Sequence, residues 1–456
     1  MRFLIGIAIS GILMLLCIPG YAQYLTGDIT IKGNIKTHPS LINREIVLKE
    51  GDTLTSSQIK DVSDLSVQNI LKTNLFHTVT VDTLNRNDTL DFIFIVKERW
   101  YWWIWPWIER PDRNFNDWWQ HKDLLRVSGG LQFQHENMRG RGEKLNLKAW
   151  GGYKTYLEAS YEWPYINQKK TIGAGIFATY SSGREVDYTT RENKQVFWHS
   201  SANIFESHLY AVYLKYRPGI RFSHFFTLSY RKFIYFDSIL AEGARLHSDL
   251  SRPELISFSY LIKADFRDNR YYPLKGFYTE SETGFLKNIN SRYNQQSERV
   301  SLRGYLPLAE NIYSASEFTA KFTNPLVKPY FLQNALGYNR EFIRGYEYLV
   351  IEAPHYWLFK SQVRYAILPY KTFRIPYIQS TKFNPVPVSI FIGPHLDCGK
   401  AFPALNKEIN SLQGEVLTGY GIGLDLVTYY EKVFRIEYTF RNTGGSGLFI
   451  HFMAMI

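Results

Sequence analysis

The chain has 456 residues, with 53 Lys and Arg against 42 Asp and Glu, for a formal net charge of +11. That length suits two or three ordinary domains, or one small domain and a large barrel, and two cysteines (Cys17 and Cys398) exclude a disulfide-stapled scaffold. Beyond residue 22 no uninterrupted apolar run reaches the ~20 residues of a membrane helix, and the basic residues are scattered rather than gathered, which argues against a nucleic-acid partner.

Aromatic residues make up 16 % of the chain (33 Tyr, 31 Phe and 11 Trp), although the mean hydropathy is only −0.25. An outer-membrane β-barrel has this profile, because it alternates apolar-out with polar-in and carries aromatic girdles at both interfaces. On composition alone a secreted β-sandwich fits as well.

In chain order, residues 1–22 read as a secretory signal: Arg2, an apolar core from Phe3 to Ile18, then Gly20-Tyr21-Ala22 before cleavage at Gln23. No small residue directly precedes Cys17, so a lipoprotein anchor is not expected. Cys398 is then the one cysteine of the exported chain and reads as a small wall residue.

Residues 23–98 form a small α+β unit. Ile29 and Ile31 share one face of a strand over Asp28–Lys32, and Gly33-Asn34 makes a turn. Leu41, Ile42, Ile46 and Leu48 have helical spacing, and a second helix is predicted over Ser56–Leu71 from Ile59, Val62, Leu65 and Ile70. Strands are predicted over His77–Thr83 and Asp91–Lys97.

Seven of the eleven tryptophans lie between Trp100 and Trp119. The segment 99–120 reads as a linker, with Trp100, Trp102, Trp103, Trp105 and Trp107 as an interfacial anchor, since indole is apolar but needs a partner for its N–H.

From residue 121 to 456 the chain alternates in segments of roughly 8–11 residues, the length of a tilted membrane strand. Leu145, Leu147 and Ala149 oppose Lys144, Asn146 and Lys148. Phe359, Val363, Tyr365 and Ile367 oppose Lys360, Gln362, Arg364 and Ala366, and Phe434, Ile436, Tyr438 and Phe440 oppose Arg435, Glu437, Thr439 and Arg441. Charge confined to one face suits a wet lumen. At roughly 20 residues per strand and connection, this length gives about 16 strands, an even number as bacterial barrels require.

Several short motifs punctuate these strands. They are His135-Glu136-Asn137-Met138-Arg139-Gly140-Arg141-Gly142, Asp265-Phe266-Arg267-Asp268-Asn269-Arg270 followed by Tyr272-Pro273-Leu274-Lys275-Gly276, Ile343-Arg344-Gly345-Tyr346, Asp397-Cys398-Gly399, and a glycine-rich stretch from Gly419 to Leu424. In this order, behind a signal and the small α+β unit, they resemble the outer-membrane insertase superfamily, the BamA/TamA-like bacterial surface antigens. Gly33-Asn34-Ile35-Lys36-Thr37, Gly51-Asp52, Asn74-Leu75-Phe76 and Val96-Lys97-Glu98 resemble one polypeptide-transport-associated (POTRA) domain.

The resemblance implies an all-β membrane protein: an antiparallel transmembrane barrel with one POTRA-like periplasmic domain. It implies a barrel lock in which Arg344, with Gly345 and Tyr346, meets Asp397, with Gly399 beside it. Asp265, Arg267, Asp268, Pro273 and Gly276 would form the family turn. The implied function is outer-membrane protein insertion or translocation through a weak barrel seam, with client capture at a POTRA strand edge. A partner-specific secretion channel or transport pore is the first alternative and a structural surface-antigen barrel the second. Unfolded outer-membrane protein clients, outer-membrane lipids, and accessory lipoproteins or periplasmic chaperones are the implied partners. No enzyme motif stands out, and no metal or cofactor is expected. This chain departs from the family in two ways: His395 stands two residues before Asp397 where an aromatic or Gly is usual, and the chain ends in Ile456 rather than an aromatic.

Overall fold

A computed structural model describes residues 23–86, 89–109, 126–236, 253–326, 329–338, 341–377, 379, 384–403, 410–428 and 432–452. The expected signal, Trp118, Trp119, Ala454 and Ile456 lie outside them. The chain divides into two compact units between Arg99 and Trp100.

The first unit runs β1 (Gln23–Lys32), α1 (Pro39–Asn43), β2 (Thr53–Thr55), α2 (Ser56–Leu71), β3 (Phe76–Arg86) and β4 (Thr89–Glu98). Its sheet order is β2-β1-β4-β3, with β1 and β4 parallel. Helix α2 covers the span its periodicity predicts, and its Ile70 is fully buried, as are Ile42, Phe76, Phe92 and Phe94. The first helix is shorter than expected. Ile46 and Leu48 are buried from extended chain, because α2 takes up the backbone there: Val47 N donates to Ser66 Oγ (3.1 Å) and Asn69 Nδ2 to Glu45 O (3.3 Å). Two polar side chains on the buried face of α2 therefore hold a strand-like segment whose apolar spacing imitates a helix.

The second unit contains β5 (Trp102–Glu109), β6 (Ser128–Met138), β7 (Glu143–Gly152), β8 (Lys154–Trp163), β9 (Ile172–Gly183), β10 (Glu185–Arg191), β11 (Lys194–His199), β12 (Phe205–Tyr216), β13 (Phe222–Tyr235), β14 (Glu254–Asp265), β15 (Gly276–Asn288), β16 (Asn294–Ala309), β17 (Ile312–Asn324), β18 (Asn334–Leu336), β19 (Ile351–Glu352), β20 (His355–Phe373), β21 (Val386–Phe402), β22 (Val416–Thr428), β23 (Lys432–Arg441) and β24 (Ser446–His451). Sixteen of these form one antiparallel sheet in chain order from β5 to β24, while β10–β11 and β18–β19 are small hairpins within connections. Side chains alternate as the barrel reading requires. Val363, Tyr365 and Ile367 are exposed on β20, whereas Lys360, Gln362, Arg364 and Ala366 between them are buried. Strands far apart in the sheet meet at one rim. Val350, before β20, donates to the carbonyl of Asn193 between β10 and β11 (2.8 Å), and Asn193 Nδ2 donates to Ser411, before β22 (3.1 Å). The sheet thus curls around a lumen. The rim with the β6–β7 hairpin is called here the turn rim, and the opposite one, with residues 325–354, the loop rim.

Trp102–Glu109, expected within a linker, is the first strand of this sheet, in register from Trp102 against His135 to Glu109 against Ser128. Tryptophans on both faces hide its period, and Pro106 is tolerated because, among the described residues, β5 has a neighbour on one side only. Trp102, Ile104 and Ile108 are exposed on the outer face. Trp103, Trp105 and Trp107 share the inner face with Gln134, Gln132 and Gly130.

Candidate functional site: the loop lock and the inner wall of β20–β23

In the connection between β17 and β20, residues 341–354 turn back into the barrel. Their Ile343, Tyr346 and Ile351 share an apolar core with Tyr356, Leu358, Ala401 and Leu417 of the wall, and all are nearly solvent-free. Burial of this face removes the segment from water and fixes its register. Arg344 is thereby brought to Asp397 on β21. Its Nε donates to Oδ2 at 2.9 Å, its Nη2 to Oδ1, and its backbone N also to Oδ2 at 3.0 Å. Nη2 also donates to the Ser361 carbonyl (3.0 Å). Arg344 is 2 % exposed and Asp397 0 %, so the pair is a desolvated, bidentate one and not a member of a hydrated charge ladder.

Two glycines make the approach possible. Gly345 has φ +92°, a conformation that side chains resist. A Cβ on Gly419 of β22 would lie 1.8 Å from the Arg344 carbonyl oxygen. Gly399 leaves room for Ile343, and Tyr346 donates its hydroxyl to Asn442 Oδ1 (2.7 Å) in the β23–β24 turn. His395 is buried on the same wall, where its Nε2 lies 3.0 Å from Thr439 Oγ1.

The expected turn motif docks on this wall from the turn rim. Within it, Arg267 grips Asp265 through Nε and Nη2, both at 2.9 Å, and Asp268 Oδ1 accepts from the backbone N of Asn269 (2.8 Å) and Leu274 (3.1 Å). Asn269 Oδ1 accepts from Tyr271 N and Tyr272 N. The motif thereby presents Tyr272 inward, where its hydroxyl donates to Asp425 on β22 at 2.7 Å. Asp425 is 0 % exposed and is held bidentately by Arg435 of β23 (2.6 and 2.8 Å), whose Nη2 also donates to Gln362 of β20 (2.9 Å). Arg364 lies over the Tyr272 ring, 4.4 Å from its centroid, and donates to the Pro273 carbonyl at 3.1 Å.

Tyr272 stands in the turn motif, and Gln362, Arg364 and Arg435 on polar strand faces, but nothing in the sequence marks them or Asp425 as partners. The available signal was the charged face of β20 and β23, which marks lumen-facing positions but not their partners. The structure brings together the sequence-predicted Arg344, Gly345, Tyr346, Asp397 and Gly399. Asp265, Arg267, Asp268, Pro273 and Gly276 form a separate motif that reaches the wall through Tyr272 and Pro273. The tryptophans lie elsewhere: Trp103 and Trp105 stack at 5.0 Å, and Trp107, Trp150 and Tyr156 stack in series at 5.8 and 4.2 Å.

In the first unit, residues 24–99 match the POTRA family model, described as "Surface antigen variable number repeat". Over nearly the whole chain the structure is similar to CdiB from Escherichia coli (12 % identity, TM-score 0.56, covering 94 % of this chain and 75 % of that one). It is also similar to CdiB from Acinetobacter baumannii (11 %, TM-score 0.51, 94 % and 73 %). BamA from Haemophilus ducreyi lacking POTRA domains 1–3 aligns at 16 % identity and TM-score 0.49, over 94 % and 83 %. A search of curated proteins returned no match. The N-terminal unit is a POTRA domain, and the fold of the whole is the one seen in the two CdiB structures, a small α+β unit followed by an antiparallel barrel.

Proposed function

We propose that this chain is an outer-membrane protein insertion or translocation factor, with its barrel in the outer membrane and its POTRA domain in the periplasm. The observation that carries the reading is the contrast between a firmly held wall and weakly held sheet ends. The inward segment is tied to β21 by the buried Arg344–Asp397 pair and β22 to β23 by Asp425–Arg435, while among the described residues β24 pairs with Arg435–Phe440 of β23 and no pairing joins it to β5. Unpaired backbone is costly in hydrocarbon, so a short terminal strand is the place where a client strand can gain pairing. The inward Arg344 segment would keep the wall rigid while that seam opens.

Client capture would use the POTRA sheet. β3 is an edge strand of eleven residues paired on one side by β4, and its second half is exposed, which suits addition of an extended segment. The clients are unfolded outer-membrane proteins, and the step needs no catalytic group.

The test is insertion of an unfolded barrel client into proteoliposomes carrying wild type or Arg344→Ala. Faster insertion by wild type, diminished in a folded variant, supports the proposal. No acceleration over empty liposomes overturns it. The second reading, a secretion channel, draws on the Arg344 segment lying inside the lumen. It requires ion conductance that rises when that segment is deleted.

A further inference from the structure

Glu347, two residues beyond Gly345 on the inward loop, converges with Glu437 of β23 and His451 of β24. His451 Nε2 lies 3.1 Å from Glu437 Oε1 and 3.8 Å from Glu347 Oε1, and one ligand-capable atom from each residue falls within 4.8 Å of the others. The three residues come from three separate elements, so no local turn accounts for their meeting. Phe342 of the loop stacks on the His451 ring (5.8 Å, interplanar angle 19°), which aims Nε2 at the carboxylates.

Two carboxylates this close and this buried repel one another unless one holds a proton or a positive charge sits between them. The side chains of Glu347 and Glu437 are 2 % and 0 % exposed. Among the described residues, Oε2 of Glu437 has no hydrogen-bond partner. The neighbouring guanidinium groups are already engaged, Arg344 by Asp397 and Arg435 by Asp425. Two further buried cations stand on β20: Arg364, over the Tyr272 ring, and Lys360, whose Nζ lies over the Phe342 ring at 4.3 Å.

We propose that Glu347, Glu437 and His451 form a divalent-cation site that ties the inward loop to the last two strands. One imidazole nitrogen and two carboxylates suit zinc, with a fourth position left to water. Bound metal would join the loop, β23 and β24 through a single centre, so its removal would loosen the last strand while leaving the Arg344–Asp397 pair in place. This inference concerns metal binding and stands whether or not the chain inserts clients.

The test uses full-length protein folded in detergent micelles, stripped with EDTA, dialysed and titrated with zinc chloride. Calorimetry and elemental analysis should find about one tightly held zinc per chain, and His451→Ala or Glu437→Gln should weaken it about tenfold or more. His199→Ala, which removes an exposed imidazole elsewhere, should change nothing. Each variant is checked for folding by the heat-dependent shift of its gel mobility. Cobalt(II) bound to the wild type provides a second readout: a visible absorption band abolished by one equivalent of zinc supports the site without any variant. Wild type that retains no zinc and yields no such band overturns the proposal, as does zinc held equally well by folded His451→Ala.

Discussion

The hydroxyl of Tyr272, in the β14–β15 connection, donates a 2.7 Å hydrogen bond to Asp425 Oδ2, a carboxylate 153 positions later. Through it a turn-rim motif and the β22–β23 wall share one buried anion, which Arg435 also grips. Tyr272→Phe keeps the ring and removes this donor, at an expected cost of about 1–3 kcal/mol, because a buried charged acceptor loses a partner. Urea unfolding of the folded barrel in lipid vesicles measures it. An unchanged midpoint would mean that the ring, not the hydroxyl, holds the turn.

Removing Arg344 leaves Asp397 buried without its counter-ion. Breaking such a pair costs about 3–5 kcal/mol, against about 0–1 for an exposed one. Arg344→Ala should therefore lower the unfolding midpoint strongly, and Arg344→Lys should recover only part of the loss, since an ammonium cannot reproduce the fork. Equal stability of wild type and Arg344→Ala would place the pair among solvent-screened contacts.

Gly419 tests the close approach of the loop. A methyl group there would meet the Arg344 carbonyl oxygen at 1.8 Å, so Gly419→Ala should displace the loop although the ion pair is chemically intact. Limited proteolysis should then cut within residues 341–354, where wild type resists. Identical digestion patterns would contradict the geometry.

Glu98, at the end of β4, accepts the backbone N–H of Lys36 (2.9 Å) and Thr37 (2.6 Å) through Oε1. Glu98→Ala should weaken protection of those two amides by up to about tenfold in hydrogen exchange on the whole chain, the equivalent of a hydrogen bond to a charged group in a partly solvated place. Protection elsewhere on α2 should stay as it was.

Trp103 and Trp105 stack with centroids 5.0 Å apart and planes at 10°. Coupled indoles give a paired feature in the near-ultraviolet circular dichroism, which Trp105→Leu should remove at a stability cost of about 0.5–1.5 kcal/mol beyond lost area. A spectrum unaffected by that substitution would return these side chains to the membrane interface, the place their composition suggests.

Features governed by local period and short-range stereochemistry could be read directly from the residues. Helix α2 and the alternating faces of β20 and β23 follow from spacing. The Arg-Gly-Tyr and Asp-Phe-Arg-Asp words mark their turns, since Gly345 and Asp268 act on backbone a few residues away. The Arg344–Asp397 pairing was legible only through family resemblance, because the two residues lie 53 positions apart and nothing between them encodes it. Tertiary structure alone decided which buried polar residues meet. Alternation places Arg364, Asp425, Arg435, Glu437 and His451 on inner faces, but strand register and the depth to which two connections enter the lumen select their partners. The same holds for β5, whose tryptophans occupy both faces. With no polar face to set against an apolar one, its inward side is defined only by the Gln132 and Gln134 it pairs beside.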